Sequence, residues 1–172
     1  MVTTDRMTDT ADAAWERRIA GLWIAIDDHA PTDFLARVRA LAAERPSGDA
    51  IALFELASAH DSTGHEQQAA PLYRQALAAG LVGERRRRAV IQLASTLRNL
   101  GQAEESLALL TSERKAGSDG LDDAVTAFLS LVLVDLGRER EAASLALGAL
   151  SRHLPRYNRS LARYAKAVAD SA

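Results

Sequence analysis

Three glycines recur at nearly constant spacing along this 172-residue chain: Gly64, Gly101 and Gly137 lie 37 and 36 residues apart. Each glycine separates two apolar stretches that have the periodicity of amphipathic helices. A repeat of about this length, built from two helices, is typical of an α-solenoid, in which each helix pair buries its apolar face against the next pair. The spacing therefore predicts an all-α chain of stacked antiparallel helix pairs.

The residues around each glycine repeat as well. A leucine followed by a small residue lies eight positions before the glycine, and another small residue lies five positions after it. The three sets are Leu56, Ala57 and Ala69; Leu93, Ala94 and Ser106; and Leu129, Ser130 and Ala142. We expect the leucines to fill the space within a pair and the small residues to lie where helices cross. The glycines would end the first helix of each pair with a positive φ.

This pattern resembles the tetratricopeptide repeat (TPR), clearest in the unit ALFELASAHDSTGHEQQAAPLYRQAL. The three matches cover residues 50–155, with departures at His60 (an aromatic in the family), Glu113 (a small residue) and Ala146 (an aromatic). The phrases AHDSTG and LASTLRNLG also resemble a bacterial subgroup of the family. The resemblance implies a non-enzymatic module for protein–protein interaction.

The helical pattern predicts a flexible N-terminus over residues 1–10, followed by one superhelical domain over 11–172. That domain would contain a degenerate repeat at 11–47, repeats at about 50–82, 86–118 and 121–154, and a capping helix at 156–170. In the capping helix, Tyr157, Leu161, Tyr164 and Val168 fall on one face. We expect this face to cover the open end of the core.

In TPR proteins the first helix of each pair lines a concave groove where partner peptides bind. Arg88, Gln92, Ser95 and Asn99 are spaced four, three and four apart, so they share one helix face. The resemblance implies that the groove contains this stripe together with residues of the neighbouring first helices: Phe54, Glu55, Ser58, Ser62 and Phe128. The alternative is an ordinary solvent-facing surface, with ion pairs occupying the run Arg85–Arg88.

A second candidate surface is basic. Residues 1–66 carry twelve acidic and six basic residues, whereas residues 142–169 contain no acidic residue. Arg156, Arg159, Arg163 and Lys166 follow one another at helical spacing. They could form the soluble face of a capping helix, dock an acidic partner, or support self-association with the acidic N-terminal end. The chain pI near 6.1 argues against dedicated nucleic-acid binding.

The sequence offers little for catalysis or metal binding. It has no cysteine, no readable nucleophile–base pair and no glycine-rich phosphate loop. His60 and His65 are five residues apart across a turn, which is not a metal-ligand spacing. We therefore predict no catalytic residue, no cofactor and no metal site. The polar N-terminus and the absence of a long apolar run predict a cytoplasmic protein without a membrane segment. Two functions are carried forward: a protein–protein adaptor, and a self-assembling structural subunit.

Overall fold

The computed structural model describes the backbone of residues 3–170 and the side chains of residues 11–170. Over that range the chain forms nine α-helices and one short 3-10 helix, without a strand. The helices are α1 (Thr3–Ile24), α2 (Pro31–Ala42), α3 (Ala50–Ser62), α4 (Glu66–Ala78), α5 (Gly83–Asn99), α6 (Ala103–Ala116), α7 (Asp122–Asp135), α8 (Glu139–Ser151) and α9 (Asn158–Asp170). Helices that follow one another pack together in pairs, which confirms the predicted all-α solenoid class.

The chain divides into two compact units, and the division falls between Leu81 and Val82. In the N-terminal unit, α2 packs against α1 and α3, and α3 packs against α4. Its core is built mainly from Trp15, Ile19, Phe34, Leu35, Val38, Leu41 and Ala59. The indole Nε1 of Trp15 donates a hydrogen bond of 2.8 Å to the carbonyl of Leu41, so the buried ring leaves no polar atom unsatisfied.

In the C-terminal unit, α5 packs against both α6 and α7, α6 packs against α7, and α8 packs against α7 and α9. The buried residues of this core are Ile91, Ala94, Leu110, Val125, Leu129, Val132, Leu133 and Ala142. The core is aliphatic throughout, as expected for helices that approach closely. The predicted single domain over residues 11–172 stays a prediction.

The three repeat glycines have the predicted conformation: φ is 77° at Gly64, 75° at Gly101 and 70° at Gly137. In each case the backbone N–H of the residue after the glycine donates a hydrogen bond to the carbonyl of the residue five positions before it. The three bonds are His65 to His60 at 2.9 Å, Gln102 to Leu97 at 2.8 Å and Arg138 to Leu133 at 2.8 Å. Together with the glycine's own bond to the carbonyl three residues earlier, this is the Schellman motif that ends helices.

The small residues of the repeat are buried as predicted. Ala69 and Ser106 have no exposed surface, and Ala142 is 3% exposed. Ser106 shows why a hydroxyl can replace a methyl here, since its Oγ donates a 2.6 Å hydrogen bond to the carbonyl of Ala94 on the facing helix α5. A larger side chain at these positions would separate the two helices.

Two terminal features differ from the sequence interpretation. Helix α1 begins at Thr3, well before the expected start near residue 11. Residues 1 and 2 lie outside the described part, and the flexibility of residues 1–10 stays a prediction. At the other end α9 begins at Asn158, because Tyr157 has a φ of 66° and interrupts the helical path. Arg156 therefore precedes the helix.

The predicted packing face of the last helix is partly wrong. Tyr157 and Tyr164 are 78% and 58% exposed, whereas Ala165 is buried against α8 and Leu161 is half-buried. The interruption before Asn158 leaves Tyr157 outside the helix. The buried side of α9 therefore contains Ala165 and leaves both tyrosines exposed.

Candidate functional site

Helix α5 buries most of its apolar residues and keeps part of its predicted polar stripe at the surface. Ile91 and Ala94 are buried in the core shared with α7, and Leu93 and Leu97 are buried on another side of the helix. In the predicted stripe Arg88 and Asn99 are exposed, whereas Gln92 and Ser95 are half-buried. The structure thus places the two ends of the stripe at the surface, and the role of the stripe in binding stays a prediction.

Helix α7, which packs against α5, has two exposed apolar residues. Leu131 and Val134, which are three residues apart, are 45% and 49% exposed. Phe128, the predicted anchor, is half-buried and packs against the core of the unit. Val134 was missed by the sequence analysis because the run LSLVLV is apolar at almost every position. Such a run does not show which side chains face water.

Two ion pairs join α5 to α7 along their shared side. Arg98 Nη2 donates to Asp135 at 3.1 Å, and Arg87 Nη2 donates to Asp122 at 2.6 Å. One pair lies near each end of the contact. The two ion pairs therefore hold α5 and α7 together at both ends of their contact.

Two arginines of the basic run Arg85–Arg88 form a structural ion-pair network with Glu113. Arg86 Nη1 lies 2.7 Å from both carboxylate oxygens of Glu113, which is only 3% exposed. Arg87 lies 3.8 Å from the same carboxylate. It also donates to the carbonyl of Gly117 at 3.2 Å. A buried carboxylate is tolerated when cations and hydrogen bonds compensate its lost hydration, and this explains how Glu113 replaces a small residue of the repeat.

An open pocket of about 560 Å³ lies beside this network. Its charged walls come from Glu84, Arg86, Arg87, Glu113 and Asp119. The arginines there are already engaged with Glu113, with Asp119 of the α6–α7 connection and with Asp122 at the start of α7. The pocket is therefore part of the structural ion-pair network rather than an anion-binding site.

Most of the predicted groove residues on α3 are not at the surface. Phe54 has no exposed area and packs against the ring of Tyr73, with centroids 6.3 Å apart. Glu55 is 4% exposed and accepts a 2.7 Å hydrogen bond from Trp23 Nε1, and Ser58 is 2% exposed. The expected exposure of these three residues is wrong, because partners from within the N-terminal unit cover them. Ser62, at the end of α3, is exposed.

The four predicted basic residues near the C-terminus are all exposed. Arg159, Arg163 and Lys166 lie on α9, and Arg156 lies just before it. The guanidinium of Arg163 lies over the ring of Tyr164, 5.1 Å from its centroid. Among the residues whose side chains are described, no carboxylate forms an ion pair with any of these four cations.

The histidine pair packs as aromatic rings. His60 is 8% exposed, and its ring meets that of His65 edge to face with centroids 5.8 Å apart. Burial, together with the positive charge of Arg39 and the neighbouring His65, lowers the pKa of His60. A neutral imidazole thus occupies the position where the repeat favours an aromatic. Within residues 11–170, no group of three or more His, Asp or Glu side chains could hold a metal ion.

Repeated helix pairs with small residues at their crossings define an α-helical repeat protein. The sequence profile of the Tetratrico peptide repeat matches residues 50–168, which is more than half of the chain. The chain belongs to this family, whose members are generally non-enzymatic interaction modules. Comparison with curated proteins and with solved structures gave no match. Among the residues described, none of the helices is both long and apolar enough to span a bilayer.

Proposed function

We propose that this protein is a cytoplasmic bacterial adaptor that binds a peptide or short helix of a partner protein against α5 and α7. The observation that carries the proposal is the pairing of two unlike faces. The polar stripe from Arg88 to Asn99 lies on one helix, and exposed Leu131 and Val134 lie on the helix packed beside it. Membership of a family of interaction modules supports this assignment.

Each part of the surface has a chemical task. Arg88 makes a charge-assisted hydrogen bond to a partner carboxylate. Gln92 and Asn99 can each donate and accept, which suits the main chain of an extended peptide or the end of a helix. Leu131 and Val134 supply the apolar contact that drives most of the binding. Phe128 extends this apolar area from its half-buried position.

The length of the surface limits the size of the ligand. Helix α5 has 17 residues, so it is about 25 Å long. An extended peptide rises about 3.4 Å per residue, and about seven residues would therefore span the helix. A ligand of this length is a short linear segment rather than a folded domain.

The test begins with a photo-crosslinking residue at Asn99 or Leu131 in the native host, with Glu104 on α6 as the control position. A partner captured from the first two positions, and absent at the third, is then titrated as the purified protein. We expect Arg88→Ala with Asn99→Ala to weaken this binding about tenfold or more, as two lost polar contacts of about 1 kcal/mol each predict. The melting temperature should stay nearly constant, because both side chains are exposed.

Arg159→Ala with Arg163→Ala is the matched control pair. If the Arg159 and Arg163 variant loses binding and the Arg88 and Asn99 variant does not, the assignment of binding to α5 and α7 is wrong. Self-assembly through the acidic and basic ends makes a different prediction. In that case light scattering grows with protein concentration at low salt, and the growth disappears when salt screens the charges.

A further inference from the structure

The basic residues at α9 are uncompensated in a unit that pairs many of its other arginines. Arg86, Arg98, Arg138 and Arg152 all form ion pairs with carboxylates of the same unit. Arg156, Arg159, Arg163 and Lys166 have no such partner among the described side chains. They also fall in the segment 142–169, which contains no acidic residue, and the one carboxylate of α9 is Asp170 at the end of the helix. This is therefore a local concentration of positive charge.

The positions of Arg159 and Arg163 are unfavourable for the helix itself. Arg159 lies in the first turn of α9, where a positive charge opposes the helix dipole. Arg159 and Arg163 are four residues apart, so their like charges repel each other. Helix α9 packs on α8 through the side that contains buried Ala165. The cations lie on the side turned away from this contact and are open to a ligand.

Two aromatic rings accompany the charge. Tyr157 is 78% exposed and Tyr164 is 58% exposed, and Arg163 stacks on the second ring. Tyrosine and arginine are the residue types enriched where protein interfaces gain most of their binding energy. A basic face with exposed tyrosines offers charge for recognition and apolar area for affinity.

We propose that this α9 face, formed by the basic residues Arg156, Arg159, Arg163 and Lys166 with Tyr157 and Tyr164 at its edge, binds an acidic helical segment of a partner protein. Arg159, Arg163 and Lys166 span about 10 Å at a rise of 1.5 Å per residue. A partner helix with carboxylates spaced three or four residues apart presents the same separations, so the two helices match charge for charge. This surface is independent of the one on α5 and α7.

The charge of the whole chain favours a protein ligand over nucleic acid. The formal net charge is −2 and the pI is near 6.1, whereas nucleic-acid-binding domains typically have a pI above about 9. A short acidic helix needs only the local patch.

The experiment uses the full chain and a labelled synthetic helix with glutamates at every third or fourth position. A permuted peptide of the same composition, in which the glutamates are distributed around the helix, is the ligand control. Fluorescence anisotropy should show tighter binding of the patterned peptide, and the affinity should fall as salt increases. Arg159→Gln, Arg163→Gln and Lys166→Gln together should weaken it about tenfold, as expected for three exposed ion pairs of about 0.5 kcal/mol each.

The matched control variant is Arg17→Gln, Arg114→Gln and Lys115→Gln, which removes the same charge from exposed positions elsewhere. An equal loss of affinity in this variant, or equal binding of both peptides, would overturn the proposal. Tighter binding of a single-stranded oligonucleotide than of the patterned peptide would reassign the face to nucleic acid. A dimer that the α9 triple variant dissolves would reassign it to a second copy of the chain.

Tyr157→Ala with Tyr164→Ala tests the apolar part separately. We expect this variant to lower the affinity for the patterned peptide while leaving its salt dependence unchanged, because the charges are intact. Circular dichroism should show the same helix content in every variant, since all the altered side chains are exposed. If the tyrosine variant binds as well as the parent, the face recognises charge alone and the proposed interface is wrong.

Discussion

The guanidinium of Arg86 is bound to both carboxylate oxygens of Glu113, with Nη1 2.7 Å from each. Glu113 occupies a position of the repeat where a small residue is usual, yet it is almost fully buried. Two consecutive arginines of the basic run, Arg86 and Arg87, therefore neutralise one departure from the repeat. The buried glutamate and the arginines beside it are each unusual alone, and the ion pairs between them account for both.

This pairing predicts that Glu113→Ala destabilises the C-terminal unit by about 1–3 kcal/mol. The change removes a buried carboxylate and leaves Arg86 and Arg87 with fewer partners. Urea denaturation of the variant measures the free energy of unfolding. Glu104→Ala, on the exposed side of the same helix, should change it by less than about 0.5 kcal/mol.

The double variant Arg86→Leu with Glu113→Leu separates charge from packing. Apolar residues of similar volume can replace a buried ion pair at little cost. We expect the double variant to recover most of the stability that Glu113→Ala loses. If Glu113→Ala is as stable as the parent protein, the contact with Arg86 is a surface ion pair and does not support the fold.

The buried alanines at the helix crossings predict which alanine-to-leucine substitutions destabilise the protein most. Ala69→Leu and Ala142→Leu should each destabilise by about 1–3 kcal/mol, because the larger side chain forces packed helices apart. Ala79→Leu alters an exposed residue at the end of α4 and should have little effect. Thermal melts compare the three variants. Similar melting shifts in all of them would show that the repeat register is wrong.

Replacing two of the glycines by alanine should change the free energy of unfolding in opposite directions. Gly101 has a φ of 75°, so Gly101→Ala should destabilise by about 1–2 kcal/mol through backbone strain. Gly21 lies inside α1 without an atom within 4 Å of an added Cβ. Gly21→Ala should therefore stabilise by about 0.5–1 kcal/mol through better helix propensity. Denaturant titration of both variants tests this, and effects of the same sign would contradict the assigned conformations.

The repeat architecture was predictable because it depends on local chemistry. A helix that ends in a Schellman turn needs a residue that tolerates positive φ, and Gly64, Gly101 and Gly137 meet that need with only a few residues of context. The small residues at the crossings obey a similar local rule. Both signals recur three times in the chain, which distinguishes them from chance.

The surface was less predictable, because burial depends on distant partners. Glu55 has the sequence character of an exposed residue, but Trp23, 32 positions earlier, covers it and donates a hydrogen bond to it. Val134 and Tyr164 have the character of core residues and are exposed. Nothing within a few positions of these residues specifies what packs against them. Hydrophobic periodicity therefore predicted the helices correctly, but it predicted wrongly which faces of some helices are buried.

His60 gives the last prediction, since it occupies a buried aromatic position as a titratable ring. Its Nδ1 atom lacks a hydrogen-bond partner, and burial lowers its pKa below the ordinary value near 6.5. The unfolded chain therefore takes up a proton first as the pH falls. Protonation of the unfolded state at His60 should lower the free energy of unfolding below a pH of about 6.5, until the folded-state pKa is reached.

His60→Phe should remove this contribution to the pH dependence and restore the aromatic residue that the repeat favours. We expect the variant to be more stable than the parent at neutral pH, because an unpartnered buried nitrogen costs about 1 kcal/mol or more. The difference should grow as the pH falls below about 6.5, where the parent loses stability at this site. Urea denaturation across the pH range measures both effects. A difference that stays constant with pH would mean that His60 is protonated in the folded protein as readily as in the unfolded chain.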